Sequence, residues 1–381
     1  MSDATRRPRI LDYWRAPTAE TVEASAIVAA AVAFVAAALG MLIVGGFEAI
    51  PITGWGSVAE VSAFAAAISA AIAFGIGYGV QGLPLNPAYA HRTPTWARWV
   101  DALALAFTAA VLVLLLVVGL GALLGDAFRG ASLYGITAAL LAGAIAAVTS
   151  YFTYLVAAGV SASSIATLLA FFLVSGCLGS MLTASDPLWW EKNLSALGTA
   201  RDASGYAFGI TLILGGLVVT ALARYIGGEL RQWSEERGLD AERGIRTITG
   251  GLVLLGIFLA CVGVFPVDLF FGVHNTVATG MAVVYLVIVI GLRWFLPGFP
   301  NAFLVLGYAF IGIILVSVLM FFPFGYYNLT AVELVAAGLI FSWLIIFIRN
   351  ISASTTDRRV AEVTRAVEGD PAAAPVHEYE G

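Results

Sequence analysis

Residues 102–124 read ALALAFTAAVLVLLLVVGLGALL, with Thr108 the only side chain able to hydrogen-bond and no charge at any position. A helix of about 20 such residues crosses a hydrocarbon core about 30 Å thick. In lipid only helices and closed barrels satisfy every backbone polar group. A barrel strand would show about 10 residues of apolar–polar alternation, whereas this run is apolar all round. It is a transmembrane helix, and Gly250–Val264 has the same character.

Working outward from that run, apolar stretches between polar breaks predict spans at 25–47, 58–82, 100–124, 132–157, 162–183, 205–226, 247–265, 271–292, 300–322 and 329–348. The expected fold is an all-α, polytopic transmembrane bundle of about ten spans. Composition agrees: the 381 residues are 60% hydrophobic and 11% charged, with mean hydropathy +0.94. Soluble domains carry about 25% charged residues, so no soluble domain of any size fits in the chain.

The count can be tested by charge, because cytoplasmic loops collect Lys and Arg. With the N-terminus inside, inner segments carry 16 of the 19 basic residues, and outer ones only Arg129, Lys192 and Arg201. One span more or fewer would scramble this partition, so both termini are expected in the cytoplasm. Trp96, Trp99 and Trp294 then mark inner boundaries, while Trp55, Trp189 and Trp190 mark outer ones. The first apolar run is of full span length and reads as an anchor, where a signal-peptide core would be about 7–15 residues. All basic residues but Lys192 are arginine, a bias of high-GC bacteria that points to a bacterial plasma (cytoplasmic) membrane.

Four parts are expected: a cytoplasmic segment 1–24, a four-span bundle 25–158, a six-span core 159–349, and a cytoplasmic, disordered tail 350–381. Small residues such as Gly75 and Gly79 read as positions of close helix approach. They are not a nucleotide loop, which would need Gly-x-Gly-x-x-Gly between a strand and a helix.

Several functions are disfavoured. Basic residues form no stripe, so nucleic acid is not an expected partner; membrane lipids are. Cys177 and Cys261 sit inside apolar runs as small core residues. Zinc needs three or four protein ligands, yet the topology puts His91 and His377 across the membrane from His274, so neither a metal nor a cofactor is expected. The span centres carry almost no charge, which argues against an ion-coupled pump.

Polar groups gather at the outer ends instead, and Asp186, Trp190, Asn193, Ser195, Asp268, His274 and Asn275 are the candidate ligand-binding residues. His274 and Asn275 lie about one turn into the eighth span, and Asp268 follows Pro266 where it could equally cap that helix. A Ser–His–Asp arrangement of Ser185 or Ser195 with His274 and Asp268 is conceivable, but no nucleophile-elbow sequence surrounds either serine. No catalytic residue is therefore assigned.

The second half resembles a known family through short motifs. WWEKNLSALGT (189–199) is followed by SGYAFG (204–209), a charged inner loop, GVFP (263–266), and then His274-Asn275 opening a span. From about 162 to 349 this layout resembles the six-span FRAG/DRAM/SFK-like membrane proteins and the related DUF998 proteins. Their loop Ser-x-x-Gly, Phe-Pro turn and following His correspond to Ser195, Gly198, Phe265, Pro266 and His274. The sequence departs from the pattern at Phe208-Gly209, where relatives often carry Phe-Asn. The resemblance implies lipid handling or trafficking, without a catalytic mechanism, and leaves the first four spans without a counterpart.

The expected role is thus a lipid headgroup or other amphiphile bound in an outward-facing pocket of the six-span core. Two alternatives are a secondary transporter built from a five-plus-five inverted repeat, and a lipid-modifying enzyme using His274 as base. The second would need a nucleophile within about 3 Å of the imidazole.

Overall fold

In the first two helices alanines face inward and large aliphatic side chains outward, which is the pattern of a protein whose solvent is lipid. The computed structural model describes residues 18–83, 89 and 92–367, with side chains to Ser352. In it α1 (Ala19–Gly45) buries Ala26, Ala33, Ala37 and Met41 and exposes Ile27, Val32, Val35, Leu39 and Ile43. The second helix, α2 (Val58–Gly77), buries Ala63, Ala66 and Ala70 and exposes Phe64, Ile68 and Ile72. Water would penalise that arrangement, at about 25 cal/mol for each Å² of apolar surface left exposed. Lipid does not, and small residues let the backbones approach.

The other long helices among the described residues are α3 (Thr95–Ala127), α4 (Gly135–Ala158), α5 (Ala162–Leu182), α6 (Ala203–Glu235), α7 (Glu242–Val264), α8 (Phe271–Phe295), α9 (Asn301–Phe321) and α10 (Leu329–Val367). Ten of the described helices are long and apolar enough to cross a membrane. The chain is an all-α, multi-pass membrane protein. Its two strands, β1 (Ala49–Pro51) and β2 (Ser132–Tyr134), pair antiparallel with Ile50 opposite Leu133, tying the α1–α2 turn to the α3–α4 turn.

Helix starts follow local capping. Thr18 with Thr21 and Ser161 with Ser164 form reciprocal capping pairs, and the Ser57 hydroxyl accepts from the Glu60 amide. Asp202 accepts from the Gly205 amide to start α6. Together with a hydrogen bond from Ser185, that holds its carboxyl below the usual carboxylate range.

Three expectations change. The charged loop expected at 227–246 is mostly helix: α6 runs to Glu235 and α7 starts at Glu242. Its charges hid an inward stripe of Ile226, Leu230 and Trp233, all buried. The tail expected to be disordered from 350 continues α10 to Val367; residues 368–381 lie outside those described. Close approach in the second span falls to Gly77 and Gly82, which meet the Tyr154 and Ala157 carbonyls of α4, while Gly75 and Gly79 face open space. Helix rotation sets which glycines face a neighbour, and spacing alone leaves it open.

The first four helices pack chiefly on one another, and α5 lies against both α3 and α6. One buried core nevertheless runs from Phe74 and Tyr78 through Leu169 and Leu222 to Phe347. Within it Arg224 of α6 binds Asp101 of α3 through Nε to Oδ2 at 2.8 Å and through a second, Nη2 to Oδ1 contact. Tyr225 donates to Tyr78 (3.1 Å), Tyr78 to Tyr89 (3.3 Å), and Tyr89 to the same Asp101 carboxylate (2.5 Å). Tyr78 stands at the start of a π turn, Tyr78–Gly82, that ends the second span. Burial and the Asp101 carboxylate raise the Tyr89 phenol above its ordinary pKa, so it stays a donor.

Candidate functional site

The site lies at the opposite end of the bundle from Arg224, where α7 stops. A helix leaves its last four carbonyls without intrahelical donors, and Pro266 brings no amide to the turn after Phe265. That turn closes by Leu269 and Phe270 amides to the Pro266 carbonyl, at 3.3 and 2.9 Å, and α8 begins. The Phe265 carbonyl is met instead by His274 Nδ1 at 2.7 Å, one turn into α8. A carbonyl only accepts, so Nδ1 carries the proton. In the neutral ring Nε2 is then an acceptor, and it lies 2.9 Å from the Ser195 hydroxyl. His274 is 3% exposed.

Ser195 is positioned by the α5–α6 connection, which winds through two 3₁₀ turns, Trp189–Glu191 and Leu194–Thr199. With three residues per turn, positions i and i+3 share a face, so Ser195 and Gly198 point the same way. Leu197 plugs into the core at 1% exposure. A Cβ on Gly198 would come within 3.0 Å of the Phe208 ring, so the turn packs closely on α6 at that position. The segment is held from α10: Glu333 accepts from the Leu194 amide at 2.5 Å. Asn328 donates to the Trp190 carbonyl at 2.8 Å while accepting from the Ala331 amide at 2.9 Å to start α10.

Ser195 and His274 border a cavity of about 270 Å³ between the start of α6 and the end of α7. Its wall includes Gly209 and Gly263, whose backbones approach closely: a Cβ on Gly263 would come within 2.7 Å of the Gly209 carbonyl. The glycine at 263 is therefore what lets the two helices converge there, whereas a Cβ on Gly209 would lie 3.3 Å from the Gly263 carbonyl, a tight contact that a small shift relieves. Tyr206, Ile210 and Leu269 on the rim are 68%, 46% and 61% exposed, so the cavity opens beside a lipid-facing surface. Arg201 is the one cationic side chain of the lining, and Asp268 the one anionic.

Of the seven residues expected to meet, three do: Ser195, His274 and Asp268. Asp186 lies outside the lining, paired with Lys192 at 2.9 Å and with the Leu188 amide. These bonds lower its pKa. Trp190 is half-exposed and contributes only its carbonyl. The side-chain amide oxygen of Asn193, Oδ1, is buried with no hydrogen-bond partner among the described residues. Asn275 is exposed and off the lining, because adjacent helical residues point about 100° apart.

Asp268 caps nothing: the residue preceding α8 is Phe270, without a side-chain bond. Nor does a Ser–His–Asp triad form. His274 Nδ1 is committed to the Phe265 carbonyl, and Ser185 bonds Asp202. Arg201, Thr199 and Tyr206 also line the cavity and were not among the expected site residues, since loop polarity alone does not tell which residues face a crevice. Among the described residues no group of three His, Cys, Asp or Glu side chains is placed to hold a metal ion. No family model matches the sequence, and no curated protein or solved structure matches it either.

Proposed function

We propose that this membrane protein binds the polar end of an amphiphile in the crevice between α6 and α7. The observation that carries the reading is the cavity itself: polar groups (Ser195, His274, Arg201, Asp268) lie on a wall that also includes Ile213, Val262 and Phe208, beside an exposed apolar rim. A ligand pocket that is mostly apolar with a few convergent polar groups fits that composition. The reading takes the membrane to be a bacterial plasma membrane with the His274 end outward, supported by the distribution of arginines. It also keeps residues 162–349 as a relative of the FRAG/DRAM/SFK-like and DUF998 proteins. Supporting that kinship, Ser195, Gly198, Pro266 and His274 of the motif all border one cavity, and Phe265 holds the imidazole. An inverted-repeat transporter has less support: α1 packs along α4, whereas its counterpart α6 packs along α7 and makes no comparable contact with α9.

The test is lipid co-purification. Purified wild-type protein should carry a defined lipid species, depleted in His274→Ala and in Ile210→Trp, which crowds the rim without touching the imidazole. Unchanged lipid content in both variants would sink the reading.

A further inference from the structure

We propose that Ser195 and His274 form a nucleophile–base pair that cleaves or transfers the acyl group of a carboxylic ester carried by an amphiphile. The proposal rests on the pocket reading above and assigns it a reaction. A general base must lie about 2.6–3.2 Å from the atom it deprotonates, and a third group must orient it. Both conditions are met: Nε2 is 2.9 Å from Ser195 Oγ, and Nδ1 is 2.7 Å from the Phe265 carbonyl. The main-chain carbonyl fixes the tautomer and ring plane, the task an aspartate performs in the Ser–His–Asp arrangement.

Placement separates this pair from a purely structural bridge. Capping the end of α7 requires only the Nδ1 bond. The Nε2 side instead meets a serine on a cavity wall, where a carbonyl carbon can reach the hydroxyl. The imidazole is buried, so bulk water does not compete for its lone pair. The rim of Tyr206, Ile210 and Leu269 suits an acyl chain entering from the lipid side.

The chemistry balances without a co-reactant beyond water or an acceptor alcohol. Ser195 Oγ bonds to the ester carbonyl carbon as its proton passes to His274 Nε2. The tetrahedral adduct breaks the carbon–oxygen bond to the leaving alcohol, which takes that proton. Water or a second alcohol then attacks the acyl-serine through the same nitrogen, releasing a carboxylic acid or a new ester and restoring Ser195. Arg201 is placed to hold an anionic group of the substrate head.

The experiment is labelling of the full chain in lipid nanodiscs with an alkyl fluorophosphonate, which reacts with activated serines far faster than with ordinary hydroxyls. The expected result is one adduct, mapped by mass spectrometry to the 189–199 segment and absent in Ser195→Ala. His274→Gln should slow labelling at least 100-fold, in the range of about 10²–10⁴ that general-base catalysis contributes. Asp186→Asn and Ser185→Ala, outside the cavity, should label at the wild-type rate. Wild-type protein that gains no adduct at Ser195 overturns the proposal, and so does a folded His274→Gln that labels at the wild-type rate. If His274→Gln does not fold, the wild-type adduct and its rate relative to free serine decide alone. Failure of labelling with lipid co-purification intact removes only the reaction; loss of both removes the pocket as well.

Discussion

Arg224, two-thirds of the way along α6, grips both carboxylate oxygens of Asp101, near the start of α3. Asp101 is fully buried, and the Arg224 side chain is 24% exposed. The pair therefore binds the four-helix part to the six-helix part with a strong, two-pronged contact. Removing one partner of a buried pair leaves the other charge uncompensated, at about 3–5 kcal/mol. Asp101→Ala and Arg224→Ala should each lower the unfolding temperature sharply in detergent. The double substitution Asp101→Leu with Arg224→Leu should recover most of the loss, because matched apolar replacements of buried pairs are often neutral. Additive losses would show that the pair acts as two independent contacts.

The α6–α7 crossing is the second point to test. A Cβ on Gly256 would come within 2.6 Å of the Gly216 carbonyl and 2.5 Å of the Thr220 hydroxyl. Gly256→Ala should destabilise by about 1–3 kcal/mol, the usual range for overpacking. Gly250→Ala, facing open space on the same helix, should be neutral or mildly stabilising. Equal melting temperatures for the two variants would contradict the crossing.

Glu333 anchors the segment that carries Ser195. Glu333→Ala leaves the Leu194 amide unpaired in a partly buried place, at about 1–3 kcal/mol. Hydrogen exchange should accelerate across 189–199 and stay unchanged in α1–α4, whereas Glu333→Gln, which keeps an acceptor oxygen, should exchange almost as the parent does.

Acid should loosen the same connection. Asp202 and Asp186 both have lowered pKa values, through hydrogen bonds from Ser185 and the Gly205 amide and from Lys192 and the Leu188 amide respectively. A carboxylate depressed in the folded state stabilises above its unfolded value of about 3.8 and loses that contribution as pH falls through the folded value. Protection factors in 184–203, taken relative to the intrinsic exchange rate at each pH, should therefore be flat from neutral pH down to about 4 and fall below it, whereas a fall already at pH 6 would point to another group.

Sidedness can be read directly. Trp55, 96% exposed, lies at the His274 end, and Asp240 lies between α6 and α7 at the other. In intact cells a membrane-impermeant maleimide should modify Trp55→Cys and spare Asp240→Cys. The reverse pattern would invert the topology drawn from the arginines.

Much of this molecule was legible beforehand. Runs such as 102–124 announce a span because hydropathy is a local property, and His274 stood out because a histidine one turn inside a span is expensive. What escaped depends on rotation and on distant partners. Asp101 and Arg224 stand near the ends of different spans, and nothing local joins positions so far apart in sequence. Asn275 shared the polar pair with His274, but helix phase puts His274 on the cavity and Asn275 outside it. Asp186 and Trp190 shared a loop with Ser195, but a loop's polarity does not say which of its side chains turns inward.

At about 1.5 Å per residue, the 33 residues of α6 form a bar about 50 Å long. Phe208 and Gly209 near one end are part of the cavity wall, and Arg224, about 24 Å further along, carries the grip on Asp101. No proline interrupts the bar between them. A straight bar of that length would couple its two ends: any tilt that changed the crevice would also move Arg224 relative to Asp101. The width of the crevice at one end and the Asp101–Arg224 contact at the other would then depend on the same helix angle.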